Sequence, residues 1–160
     1  GAILSFDPNI REPLWKDMED ARAQMAYGLS VCDILKISDN EIQWFSGKED
    51  YTEGIHMLQQ TYQIPFILLS MGRDGSRAYY KDMLVEVPAF LQKNTIETTG
   101  AGDTFGACCL HHILKYGLDN LTKQQLKEML TFANAAASII TTRKGALRVM
   151  PSLEEIQRLL

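Results

Sequence analysis

Two rhythms of apolar and polar positions alternate along the chain. Short apolar runs at Ala2–Phe6, Cys32–Ser38 and Pro65–Gly72 are bounded by turn residues and read as strands, the first of them buried. Helical patterns lie between and after them. Pro13 suits a first helical turn, Leu14, Met18, Ala21 and Met25 make an apolar stripe, and Gly28 suits the position just past a helix. Ser38 with Glu41 has capping-box spacing and predicts a short helix closed by Gly47. Tyr51–Tyr62 predicts another helix. Ser76–Phe90 predicts a β-hairpin turning near Lys81-Asp82. The apolar spacing from Thr104 to Gly117 predicts a helix, and Thr122 caps a long one running to Ala146 with an alanine-rich face. Ser152 and Glu155 repeat the capping-box signature at the start of a last helix.

Strands alternating with helices predict parallel strands with helices packed on the sheet. No repeat, low-complexity segment or linker interrupts the pattern, so residues 1–160 read as one α/β domain. In open α/β sheets ligands sit at the carboxyl ends of the strands. Asp7, Ser38, Ser70 and Gly100 all fall at predicted strand ends, which locates a site before any motif is considered.

Composition narrows the classes. The chain has 160 residues, 46% hydrophobic and 22% charged, with a net charge of -4. That is enough for a real core. It offers no excess of Lys and Arg of the kind a nucleic acid calls for. No apolar run reaches the ~18 residues of a membrane span. The first residues lack a basic segment followed by a long apolar one, so no secretory leader is read there. Cys32, Cys108 and Cys109 lack framework or zinc-site spacing and read as free thiols of a cytoplasmic protein. The chain opens at once on an apolar run, which points to a piece of something longer.

The chemistry concentrates in Thr98–Ala107, "TTGAGDTFGA". A helix start leaves amides unpaired and carries partial positive charge. Small residues let an anion approach those amides, so Gly100, Ala101 and Gly102 form a candidate cradle for a phosphate or an oxyanion. Asp103 stands in the first turn, where its carboxylate can serve as a base toward an attacking hydroxyl. On these residues alone, a tight turn with Asp103 as helix-start charge is the favoured reading. Adjacent His111 and His112 point to different sides of a helix and read as ordinary packing or surface residues. Trp15 and Trp44 read as packing anchors.

Five stretches in order resemble the ribokinase-like, or PfkB, carbohydrate-kinase family, closest to bacterial fructokinases. They are "FDPNIREPLW", "LKISDNE", "LLSMGRDGS", "ETTGAGD" and "FANAAASIITTRKGA". The resemblance implies a three-layer α/β fold with a mostly parallel sheet flanked by helices and a β-hairpin. It implies transfer of the γ-phosphoryl group of ATP to a sugar hydroxyl, with fructose giving fructose 6-phosphate as the leading case. Asp103 then resembles the catalytic base, and Gly100, Ala101 and Gly102 the anion hole. Ser70, Gly72, Gly75 and Asn134 resemble nucleotide contacts. Asp7, Asn9 and Arg11 resemble a buttress to the phosphate end, Arg11 reaching a phosphate. Glu41 resembles the acid that holds magnesium through water. Glu97, Thr99, Arg143 and Gly145 resemble a potassium-binding region. The chain departs from the family pattern at Glu97, where Asp is usual, and at Ser38, where Asn is common.

The resemblance covers only the later half of such enzymes. The early strands, the sugar-binding residues and the β lid are missing. The expected partners are therefore ATP, a small sugar, and the missing half or another chain, a second copy included, along an exposed sheet edge. Two alternatives stay open. One is a nucleotide-binding piece without turnover of its own. The other is a relative acting on ribose, a nucleoside, a vitamin precursor or a keto-deoxy sugar acid.

Overall fold

The computed structural model describes all residues, Gly1–Leu160. Five strands form one sheet in the order β1-β2-β3-β4-β5: β1 Ser5–Phe6, β2 Ile34–Ser38, β3 Phe66–Ser70, β4 Ser76–Tyr80 and β5 Met83–Val87. Six α-helices accompany them: α1 Met18–Val31, α2 Asp39–Ser46, α3 Tyr51–Tyr62, α4 Ala101–Tyr116, α5 Lys123–Ile140 and α6 Leu153–Leu159. The residues gather into two compact units. One holds Gly1–Ser70 with Tyr79–Asp82, the other Met71–Ala78 with Met83–Leu160.

In the first unit β1, β2 and β3 are parallel. β2 and β3 are buried at every position but their last, as strands covered on both faces must be. Ile34, Leu35, Ile37 and Phe66–Leu69 make the centre of this core with Ala21 and Leu29 of α1, Ile42 of α2, and Ile55 and Leu58 of α3. Burying each of the Leu, Ile and Phe side chains among them contributes about 1.5–3 kcal/mol. Arg22 of α1 stacks on the Trp44 ring at 4.0 Å and donates to the Trp44 carbonyl, so Trp44 is the anchor its size suggested.

Two expectations fail here. The first strand is not a buried one, because Ala2–Ser5 are exposed and only two residues pair with β2. Its apolar side chains Ile3 and Leu4 stand about half exposed. The first helix starts at the Asp17 cap and runs through Gly28 to Val31, while Leu14 lies outside it, 80% exposed. Gly28 is there for packing: a Cβ at that position would stand 2.6 Å from the Phe6 ring.

In the second unit α5 packs on α4, β5 and α6. Ala133, Ala135 and Ala136 are all fully buried, which covers more than one side of α5 and lets those elements approach closely. His112 rests on Phe132 of α5, with ring centroids 5.0 Å apart. α5 ends at Ile140, earlier than the expected Ala146. The Thr141 and Thr142 hydroxyls turn back onto the Ser138 and Ile139 carbonyls at 2.7 and 2.8 Å and close the helix in turns. β5 and β4 flank the turn at Lys81-Asp82 as expected, and Arg77 pairs with Glu86 across the hairpin.

Candidate active site

In the first unit the candidate residues cluster at the carboxyl ends of the parallel strands. Ser38 and Ser70 lie opposite each other in register as the last residues of β2 and β3. Ser38 caps α2, and the Glu41 Oε2 accepts from the Ser38 amide at 2.8 Å and the Ser38 hydroxyl at 2.7 Å. This orients the Glu41 carboxylate and leaves Oε1 free. That oxygen suits a magnesium-bound water, since magnesium keeps several waters and needs few protein ligands.

The Asp7–Arg11 loop is held in a strained path. Asn9 and Arg11 both take left-handed backbone angles, with φ 41 and 47. Pro8 and Ile10 are buried beneath it, and the Trp15 indole donates to the Ile10 carbonyl at 2.7 Å. Asn9 and Arg11 are themselves exposed. Asp7 faces a cation that sequence reasoning passed over. Lys36, in the middle of β2 and 7% exposed, sets its ammonium 3.2 Å from the Asp7 carboxylate. The signal was a lysine inside an apolar strand, on the same face as Ser38 by the two-residue repeat.

In the second unit Gly100 is the left-handed N-cap of α4, with φ 77, and no side chain caps that helix. The angle requires glycine, and a Cβ there would also stand a tight 3.2 Å from the Ala146 Cβ. The Ala101 amide donates to Thr98 O at 3.1 Å. No acceptor pairs with the amides of Gly100, Gly102 and Asp103. The Asp103 side chain is exposed beside them. No strand leads into this turn, contrary to the expectation for Gly100. The preceding segment is tied to α5 instead, Ile96 and Glu97 donating to Thr141 O at 2.8 and 3.3 Å. Thr104, next to Asp103, is buried with its hydroxyl unpartnered.

Of the residues expected around potassium, Glu97 and Gly145 meet, the Gly145 amide donating to Glu97 Oε1 at 2.7 Å. Thr99 is exposed and takes no part. The Arg143 side chain turns to the Val149 carbonyl at 3.0 Å and to the Glu155 carboxylate. Among the expected nucleotide contacts, Gly72 is exposed with φ 53, while Gly75 is buried with φ 101. Asn134 is buried, and its amide donates to the Val87 and Pro88 carbonyls, each at 3.1 Å. Ser76, beside Gly75, is fully buried with an unpartnered hydroxyl.

The family model of the pfkB family carbohydrate kinases matches residues 1–153. The chain belongs to this family. Among curated PfkB relatives, a probable fructokinase-2 of Arabidopsis thaliana is 36% identical over 95% of the chain and 46% of the relative. A fructokinase of Klebsiella pneumoniae is 35% identical over 99% of the chain and 51% of the relative. The crystal structure of the fructokinase of Vibrio cholerae O395, in a form with fructose, ADP and calcium ion bound, superposes with a TM-score of 0.90 at 28% identity. It covers all of the chain and 51% of that protein. The expected ribokinase-like fold is therefore present, as a mixed five-stranded sheet flanked by helices. The chain spans about half the length of the PfkB relatives it matches. No helix is long and apolar enough to cross a membrane.

Proposed function

We propose that the chain is the part of an ATP-dependent sugar kinase that carries the base and the phosphate cradle. Fructose giving fructose 6-phosphate is the reaction we favour. The observation that carries the reading is the start of α4: free amides at Gly100, Gly102 and Asp103, no capping side chain, and an exposed carboxylate beside them. Asp103 takes the proton of the sugar hydroxyl as its oxygen bonds to the γ-phosphorus. The bond from that phosphorus to the bridging oxygen breaks, and ADP leaves with the electron pair. The free amides donate to the phosphoryl oxygens, where charge stabilisation supplies much of the rate. Ala101 contributes its small size. Ser70 offers a hydroxyl and the exposed Gly72 a close backbone approach to the nucleotide, while Gly75 packs under β5 and Asn134 braces the end of that strand. The Asp7–Lys36 pair and the exposed Asn9 and Arg11 on the following loop are our candidates for the phosphate end. Glu41 would hold magnesium through water, and the ion would neutralise phosphate charge.

The test is Asp103→Asn in the full-length protein. Turnover with ATP and fructose falls by about 10²–10⁴-fold while ADP binding by calorimetry is kept. Equal turnover in both proteins removes Asp103 as base.

The half-length coverage favours a second reading for the chain by itself, a nucleotide-binding piece that turns over only when the remaining half is supplied. A coupled assay on the chain alone and with that half separates the two. A panel of fructose, ribose, a nucleoside and a keto-deoxy sugar acid decides the acceptor. The free thiols Cys32, Cys108 and Cys109 suit a reducing cytoplasm.

A further inference from the structure

The loop after α5 is strung between two anchors. On one side Glu97 Oε1 accepts from the Gly145 amide at 2.7 Å. On the other, Arg143 binds the Val149 carbonyl and the Glu155 carboxylate of α6. Gly145 has φ 120, an angle that favours glycine, so the amide can turn toward the carboxylate. The next residue, Ala146, packs against Gly100: a Cβ added to that N-cap would meet the Ala146 Cβ at 3.2 Å and its Cα at 3.3 Å. The tether at Glu97 therefore sets the floor beneath the first residue of the phosphate cradle.

This arrangement does not fit a cation held between Glu97 and Gly145. Gly145 aims an N–H at the carboxylate, and an N–H repels a cation where a carbonyl would bind it. Glu97 has the reach for the amide that an aspartate, one methylene shorter, lacks.

We propose that Glu97 is a positioning residue, which acts as the hydrogen-bond acceptor for the Gly145 amide and keeps Ala146 under Gly100, and not as a cation ligand. The link to turnover rests on the kinase reading above; the tether itself does not.

Three variants of the full-length protein test it: Glu97→Gln keeps an acceptor oxygen and loses the charge, Glu97→Asp keeps the charge and loses the reach, and Glu97→Ala loses both. Hydrogen exchange is read at the Gly145 amide, and kcat and KM are measured in potassium and in sodium. Expected is protection within about 3-fold of the parent in Glu97→Gln, and a loss of about 10-fold or more in Glu97→Asp and Glu97→Ala. kcat follows the same order, with KM for ATP changing less and the same ranking in both salts. Protection and turnover kept by Glu97→Asp but lost by Glu97→Gln overturns the proposal in favour of a cation ligand. Loss of protection with kcat unchanged overturns the positioning role. A parent protein inactive on every sugar sinks the kinase reading, and the exchange ranking then decides the tether alone.

Discussion

Gly75 and Asn134 converge on one carbonyl. Asn134 donates to Val87 O at 3.1 Å, and the same oxygen would lie 2.1 Å from a Cβ built on Gly75. The Gly75 φ of 101 adds backbone strain for any other residue. Gly75→Ala therefore displaces the end of β5 and costs on the order of 3 kcal/mol in urea unfolding. A stability within error of the parent would mean that this turn adapts freely and that the close approach is incidental.

Asn134 acts on the same spot from α5. Asn134→Ala leaves the Val87 and Pro88 carbonyls without their donor and costs about 1–3 kcal/mol. Because Gly75→Ala already moves Val87, the two losses do not add. The double variant falls short of their sum by about 0.5 kcal/mol or more in a double-mutant cycle. Strict additivity would show that the two residues hold the hairpin independently.

Ser38 serves both α2 and Glu41. Ser38→Ala removes the cap and one of the two donors on the Glu41 carboxylate, leaving only the Ser38 amide, which lowers stability by about 1 kcal/mol. Ser38→Asn, an equally good cap, stays within a few tenths of a kcal/mol of the parent. Thermal melts of the two variants make the comparison. If the nucleotide reading is right, magnesium-dependent ATP affinity drops in Ser38→Ala and is kept in Ser38→Asn.

The acid limb of stability has a definite contributor. The Ser152 amide, followed by the Arg143 guanidinium, holds the Glu155 carboxyl below its ordinary value of 4.5. A depressed acid stabilises the fold above its unfolded pKa and loses that contribution as pH falls through the lower, folded value. The stability gap between the parent and Glu155→Gln is thus widest above pH 4.5 and closes on the acid side. Urea midpoints taken from about pH 6 to about pH 3 follow it. A gap that widens on acidification contradicts the assignment.

Local signals were legible and distant ones were not. The caps at Ser38, Thr122 and Ser152 each sit within four residues of their partners, and all three hold as expected. The α4 start was legible for the same reason, since Gly100 to Asp103 are contiguous. Gly28 misled, because its reason is the Phe6 ring arriving from another element. The apolar run at Ala2–Phe6 suggested burial, but burial depends on what covers a strand, and no local pattern carries that. The meeting of Asn134 in α5 with Val87 at the end of β5 has no periodic signature, and that of Glu97 with Gly145 was anticipated only through the resemblance that grouped them.

Lys36 was missed on the same grounds, and its partner makes it testable. The ammonium is nearly buried, at 9% side-chain exposure, and Asp7 is partly so, at 27%. Desolvation offsets much of the attraction in such a pair, so its worth to stability is small, while removing one member leaves the other uncompensated. Lys36→Met should therefore cost about 1–3 kcal/mol, discounted from the fully buried case because water still reaches Asp7. Lys36→Met combined with Asp7→Leu should recover most of that loss. If the lysine also serves the phosphate end, the double variant folds like the parent yet binds ATP more weakly. Full ATP affinity in the recovered double variant would confine Lys36 to neutralising Asp7.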